Sequence, residues 1–340
     1  MALKRPTLKT ISELSGFAVT TVSRALSDGP EIGAETKKKV RKIADDIGYV
    51  RNRSGVGLVT GKSNVISLIL SADHDVIDDH TGRLIASIAR HLQGTLYHMN
   101  IVTYATQTQR LEVVKHVVET RSADAVILSQ IEPDDQRIAY LLERQFPFVA
   151  YGRSNWKEQH AFFDFDNIAF GTQAARILIE KGRKRLLFIS PPDNLSYSKD
   201  IYKGIEQGLL ASDARVEILE GASSHDGNEA MRKALVQRFS QPGTLDGIIA
   251  PSTSSAVVSI AALEQSGLVL GKDVDIFAKE ASPYLQYIRK EVMSVYENLT
   301  LAGEFLAKAA LQAIDDPAAP PMHRLELSGD HLSDSECNPV

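Results

Sequence analysis

Cysteine is almost absent from this 340-residue chain: Cys337, near the C-terminus, is the one thiol. That excludes an intramolecular disulfide framework and a cysteine-based metal cluster. Long apolar runs are missing too. The longest, VISLIL (Val65 to Leu70) and DAVIL (Asp124 to Leu128), have the length of strands, far short of the roughly 20 residues a helix needs to cross a bilayer. The opening MALKRPTLKTISEL carries basic side chains but no continuous apolar core ahead of a small-residue cleavage site, so a cytoplasmic location is expected. No G-x-S-x-G, H-E-x-x-H, phosphate loop or Cys-His arrangement occurs, and no leucine heptad tail that would form a tetramerisation helix. What remains is a globular composition, 43% apolar, with length enough for two or three packed domains.

A formal charge of −5 hides an asymmetry. Residues 1–62 hold twelve Lys/Arg against six Asp/Glu, a net of +6, so the remainder carries −11. A small basic module joined to a larger acidic body points to a polyanionic partner, unless the lysines are only a solvated face. In the module, Leu8, Ile11 and Leu14 recur at helical spacing after a Thr7 cap, and Gly16 closes that helix. A second helix is expected from about Val19 to Leu26, with Val19, Val22 and Leu26 on one side and Thr20, Ser23, Arg24 and Ser27 on the other. A third, from Ala34 to Ile47, turns Val40, Ile43, Ala44 and Ile47 inward and ends at Gly48. Two helices joined by a short glycine-containing turn, the second polar outside, form the helix-turn-helix pattern, whose second helix enters the DNA major groove.

Three runs, L8-K-T-I-S-E-L-S-G-F-A-V-T-T-V-S-R-A-L26, I32-G-A-E-T-K-K-K-V40 and I47-G-Y-V-R-N-R53, occur in the order and spacing of one family. Together they resemble the headpiece of the lactose-repressor (LacI/GalR) family of bacterial transcription factors. The resemblance places Val19, Thr20 and Arg24 at base-reading positions and Thr21 and Ser23 nearer the phosphates. Arginine can pair bidentately with guanine, and threonine offers a methyl to thymine or a hydroxyl to either strand; the competing reading of both threonines is helix-start chemistry. The family usually has Ser or Thr at the N-cap, where this chain has Ala18. The segment RNRSGVGLVT (51–60) resembles the family's hinge helix, which orders on the operator, and Asn52, Arg53 and Leu58 match it, Leu58 as the leucine that wedges into the minor groove. Arg51 stands in place of the usual proline, and Gly55 and Gly57 weaken the helix, so the expectation is a hinge disordered off DNA and weakly helical on it.

From Val65 onward, strand-like runs (VISLIL, NIVTYA, DAVILS, FPFVAYG, then FFDFD, RLLFIS, VEILEG, GIIAPS, VDIFAKE) alternate with helical ones in two series. Such alternation argues for two parallel sheets covered by helices. Gly152-Arg153, D164-F-D-N167, E180-K-G182, Gly204, the run from Glu264 to Asp275 and V295-Y-E-N-L-T-L-A-G303 extend the family resemblance over this body. It implies a type I periplasmic-binding-protein-like body of two Rossmann-like subdomains, α/β in class, with crossovers near residues 160, 291 and 322. The expected organisation is residues 1–50 for the headpiece, 51–62 for the hinge, 63–160 plus 293–320 for the N-terminal subdomain, and 161–292 plus 321–340 for the C-terminal one.

Ligands of open α/β sheets lie at the carboxyl ends of strands. The candidate lining is therefore Ser71, Asp73, His74, Ser129, Gln130 and Arg153 from the first half, with Tyr197, Ser223, Ser252, Thr253, Lys279 and Glu280 from the second. Hydroxyls, an amide and opposed charges suit a polyhydroxylated ligand. Other readings stay open: Ser252 and Thr253 as helix caps, Arg153 as an ion-pair bridge, His74 as a solvated loop residue. An arginine that commonly grips effector in the family is Ile201 here, which favours a neutral or amino sugar, a disaccharide or a polyol over an anion or a purine. The expected protein is a homodimeric repressor binding a palindromic operator under control of that effector, with no cofactor and no membrane. A transport or chemosensory binding protein shares the body, and a sugar-processing enzyme using Asp73, Asp166 and Glu280 is a third class.

Overall fold

In the computed structural model, the chain is described over residues 6–49, 61–72, 79–106 and 108–326. It divides into two compact units, residues 1–63 and 64–340. The first contains α1 (Leu8–Ser15), α2 (Val19–Leu26) and α3 (Ala34–Asp46). Thr7 caps α1 through a capping box with Thr10, and Gly16 ends it at φ 76. Ile11, Val22, Ala25, Val40 and Ala44 form the core, with Leu8, Phe17, Leu26, Ile32 and Tyr49 packed around it. Val19, expected inward by spacing, is instead 42% exposed. It is the first helical residue, and the inward row of this short helix begins one turn later at Val22 and runs through Ala25.

The second unit begins with β1 (Val65–Ser71), α4 (Asp79–His91), β2 (His98–Tyr104), α5 (Gln109–Thr120), β3 (Ala125–Leu128), α6 (Gln136–Glu143), β4 (Phe148–Tyr151) and β5 (Ala161–Phe165). It continues with α7 (Asn167–Glu180), β6 (Arg185–Phe188), α8 (Ser196–Leu209), β7 (Arg215–Ile218), α9 (Asn228–Phe239), β8 (Gly247–Ala250), α10 (Thr253–Gln265) and β9 (Asp275–Glu280). A single turn α11 (Leu285–Ile288), β10 (Met293–Tyr296), α12 (Leu299–Asp315) and β11 (His323–Glu326) complete it. One sheet runs β11-β5-β4-β3-β1-β2 and the other β10-β9-β8-β6-β7, with every ladder parallel. Both faces of each sheet are buried, as parallel sheets require. In the first sheet Ile66, Leu68 and Ile127 belong to one core, and Ile69, Val126 and Leu128 to the core on the opposite face. Helices α4, α8 and α10 start earlier than their apolar residues suggest, because their first turns (DHTG, SYSK and TSSA) are mostly polar. α7 begins at Asn167 under an Asp166 cap.

The crossings between sheets differ from expectation. Ala161–Phe165 belongs to the first sheet and Met293–Tyr296 to the second, whereas HRLEL was expected in the second sheet and begins β11 of the first. In β5, Phe162 and Phe163 enter the cores on opposite faces of the first sheet, which commits the strand to that sheet. It finds β4 on one side and β11 on the other, where Phe162 stacks on His323 with ring centroids 4.7 Å apart. β11, exposed except at Glu326, suits an edge. The chain changes sheets instead at Asp166 and near Asn298, and each of these residues caps the next helix, accepting from Ala169 N (2.8 Å) and Leu301 N (3.1 Å). The expected third crossing near 322 is not made by β11, and any crossing after Glu326 falls outside the described residues. Among the described residues no helix is long and apolar enough to cross a membrane.

Candidate functional site

α2 presents Val19, Thr20 and Arg24 to solvent, with Thr21 and Ser23 half-buried beside them. Its N-cap, Ala18, makes no side-chain capping bond. The exit from α2 is a Schellman turn: Gly29 N–H donates to Arg24 O (2.9 Å), Asp28 N–H to Ala25 O (3.4 Å), and Asp28 sits at φ 60. The Asp28 carboxylate receives Arg41 Nη2 at 2.6 Å and Lys37 Nζ at 3.4 Å. The hydrogen bond from Arg41 leads the effects that lower the Asp28 pKa. α3 is thereby clamped to the end of the exposed helix. Asn52, Arg53 and Leu58, and the expected hinge helix with them, lie outside the described residues.

In the second unit, a cleft of about 790 Å³ opens at the carboxyl ends of both sheets. Ser71, Ser129, Gln130, Arg153, Tyr197, Ser252, Lys279 and Glu280 line it; Ser223 and Thr253 do not, although their neighbours Ser224 and Ser252 do. Ser223 instead closes its own loop, its N–H donating to Asp226 Oδ2 at 2.6 Å and its hydroxyl accepting from His225 N at 3.2 Å. Asp73 and His74 lie outside the described residues. Ser252 has both of its proposed positions at once: it faces the cleft and caps α10, accepting from Ser255 N at 3.1 Å.

The loop after β3 is held from behind by buried arginines. Arg137 Nη2 donates to the carbonyls of Ser129 (3.0 Å) and Gln130 (3.1 Å), Arg110 also donates to Gln130 O, and Asp135 bridges the two guanidiniums. This lets Gln130 adopt φ 53 with its amide oxygen accepting from Tyr104 OH at 3.2 Å. Glu280 accepts the Leu285 N–H at 2.9 Å and the Ser294 hydroxyl, which fixes the turn after β9.

Sequence reasoning missed five further polar residues that line the cleft: His80, Tyr151, Asp164, Asn167 and Glu297. Glu297 is 3% exposed and accepts from Lys279 Nζ (3.2 Å) and from Tyr151 OH, with His80 Nε2 at 3.7 Å. Burial opposes its charge, but Lys279 and His80 beside it hold the carboxyl well below the usual carboxylate range. Burial, with Glu297 next to it, pushes the Tyr151 hydroxyl well up. Lys279 also donates to Asn167 Oδ1 at 3.2 Å and sits over the rings of Phe165 (5.0 Å) and Tyr197 (5.7 Å). Arg153 donates to Asp164 (2.6 Å) and Asp200 (3.0 Å), as the ion-pair reading of that residue anticipated, and burial still pushes Asp164 up to about 6. Tyr197 OH lies 2.8 Å from His225 Nε2. Asp164, Asn167 and Glu297 were in the quoted motifs D164-F-D-N167 and V295-Y-E-N, but as fold markers; nothing local singles out His80.

A three-helix unit with an exposed polar second helix, in one chain with a two-sheet cleft, defines the class of DNA-binding regulators that carry a ligand-binding body. The family description "Bacterial regulatory proteins, lacI family" matches residues 7–52 and "Periplasmic binding protein domain" matches residues 85–317. The HTH-type transcriptional regulator AglR of Rhizobium meliloti is 30% identical over 319 residues, covering 90% of this chain and 87% of its own. CelR of Thermobifida fusca is 24% identical, covering 94% and 95%. Among solved structures, the lac repressor dimer bound to operator and the anti-inducer ONPF superposes with a TM-score of 0.81 at 16% identity, over 96% of this chain and 97% of that one. A CelR–cellobiose complex superposes at 0.69 with 21% identity, over 96% and 98%. The chain belongs to the lacI family of bacterial regulatory proteins and is a DNA-binding transcriptional regulator.

Proposed function

We propose that the protein is a cytoplasmic homodimeric repressor that reads a two-fold-symmetric operator and is controlled by a neutral sugar, disaccharide or polyol bound in the cleft. The observation that carries the effector class is the pairing of charges along the wall: Lys279 with Glu297, and Arg153 with Asp164 and Asp200. An anionic ligand would have to take Lys279 or Arg153 from its carboxylates and leave a buried acid uncompensated, whereas hydroxyls can exchange hydrogen bonds with Gln130, Asn167, Tyr197 and Ser252 without doing so. The cellobiose seen with CelR, a structural neighbour, supports the same class.

Val19, Thr20 and Arg24 contact bases in this reading, and Thr21 and Ser23 contact phosphates. Residues 51–62 act as the hinge, with Asn52 and Arg53 at its start and Leu58 wedging into the minor groove. Effector binding changes operator affinity through the difference in its affinity for the DNA-competent and DNA-incompetent states. Calorimetry with cellobiose, maltose, a polyol and a sugar phosphate tests the effector class, followed by a gel shift with the ligand that binds. A neutral saccharide that binds and alters the gel shift is the expected result. Preference for the sugar phosphate rejects the neutral-ligand reading.

A further inference from the structure

Arg24 is the single cation of α2, and its side chain does not stand alone. Its Nε lies 3.4 Å from Glu31 Oε1, with 66% and 47% of the two side chains exposed. The turn that follows α2 puts the acid there. Gly29 donates back to Arg24 O, Ile32 N–H donates to Gly29 O at 3.1 Å, and Ile32 packs against the headpiece core. The carboxylate of Glu31 then folds over Gly29, where an added Cβ would meet it at 3.0 to 3.1 Å. The other acid of the turn, Asp28, is taken by Arg41 and Lys37. Glu31 is therefore the acid placed to compete for the arginine that the proposed function assigns to base reading.

We propose that Glu31 is a specificity-determining residue that withholds Arg24 from the phosphate backbone and yields it to a base. An exposed ion pair of this kind contributes at most about fivefold to an equilibrium. A bidentate arginine–guanine contact contributes about ten- to a hundredfold, so guanine outcompetes Glu31. On a wrong sequence Arg24 has only phosphates to turn to, and moving toward them brings the Glu31 carboxylate against the same negative backbone. The residue thus penalises non-specific binding more than operator binding. This rests on the reading of Arg24 as a base contact, and the test separates the two.

Fluorescence anisotropy with the full chain compares a duplex selected by the wild-type protein from a random pool with a scrambled duplex of equal composition, over a salt series. Glu31→Gln is expected to tighten the scrambled duplex by up to about fivefold and the selected duplex by less, so the selectivity ratio falls. Its salt dependence on the scrambled duplex steepens by about one phosphate equivalent. In an Arg24→Ala background the same substitution leaves the ratio unchanged. A ratio that Arg24→Ala lowers but Glu31→Gln leaves constant or raises overturns the proposal alone. A ratio that Arg24→Ala does not lower overturns the base-reading role of Arg24 and the proposal with it.

Discussion

Gly204 and Gly82 are both helical glycines, and replacing each with alanine should have opposite effects. Gly204 lies on α8 where that helix crosses α7; a Cβ there would stand 2.1 Å from the Ile168 carbonyl oxygen, and one at Gly171 on α7 would stand 2.2 Å from Ile201 O. The neighbouring turn repeats the pattern, with Gly208 against Ala175, and Thr172 Oγ1 donates to Gly204 O at 3.0 Å. Because the obstacle is backbone, no rotamer change relieves it and the helices must part by roughly 1 Å to regain normal contact. Overpacking of this severity costs about 3 kcal/mol, against about 1 kcal/mol gained in helix propensity. Gly204→Ala should therefore destabilise by about 2 kcal/mol. A Cβ at Gly82 on α4 meets nothing within 4 Å, so Gly82→Ala should stabilise by about 0.5–1 kcal/mol. Urea unfolding of the two variants, read as midpoint shifts at a common slope, measures the difference. α7 begins at Asn167 and α8 at Ser196, both on the cleft wall, so Gly204→Ala should also weaken the effector. Equal shifts of one sign in the two variants would refute the close-packing argument.

Other substitutions probe the cleft and the headpiece. Glu297→Gln leaves the Lys279 ammonium buried without its carboxylate and should cost about 3–5 kcal/mol; Lys279→Met in the same chain should recover much of that, and a purely additive double variant in urea unfolding would dissolve the pair. Asp164 has a folded pKa near 6, above its usual value of 3.8, so its stabilisation is full below about pH 4 and is lost as pH rises through about 6. The stability difference between wild type and Asp164→Asn should therefore shrink by about 3 kcal/mol from pH 4 to pH 8, and a flat difference would place the carboxyl in the ordinary range. Ala18→Ser supplies the missing cap of α2 and should stabilise the headpiece by about 1 kcal/mol, seen as slower amide exchange in α2; unchanged exchange would mean that the added hydroxyl makes no cap.

The headpiece was legible because its signals are local. Thr7, Gly16 and Gly48 punctuate the helices, and Val22, Val40 and Ala44 occupy the inward row that spacing alone assigns. Val19 was misplaced because periodicity does not say at which turn of a short helix burial begins. The strands were visible as apolar runs, but their sheet was not always: FFDFD reads the same whether it opens the second sheet or closes the first. Burial of Phe162 and Phe163 on opposite faces decides that question, and only the assembled sheet supplies both cores.

At the cleft the division is sharper. Strand ends alone nominated Ser71, Ser129, Gln130, Arg153, Tyr197, Ser252, Lys279 and Glu280, because a parallel sheet delivers its carboxyl ends to one edge. The sequence by itself thus determined a DNA-reading module, two parallel sheets and much of the cleft's polar lining. Tertiary structure decided how those polar groups are paired: Glu297 joins Tyr151, 146 positions away in the chain, with Lys279 and His80 completing the cluster. Periodicity and spacing report which face a residue occupies, whereas the charge a ligand meets depends on which opposite charge the fold has already placed beside it.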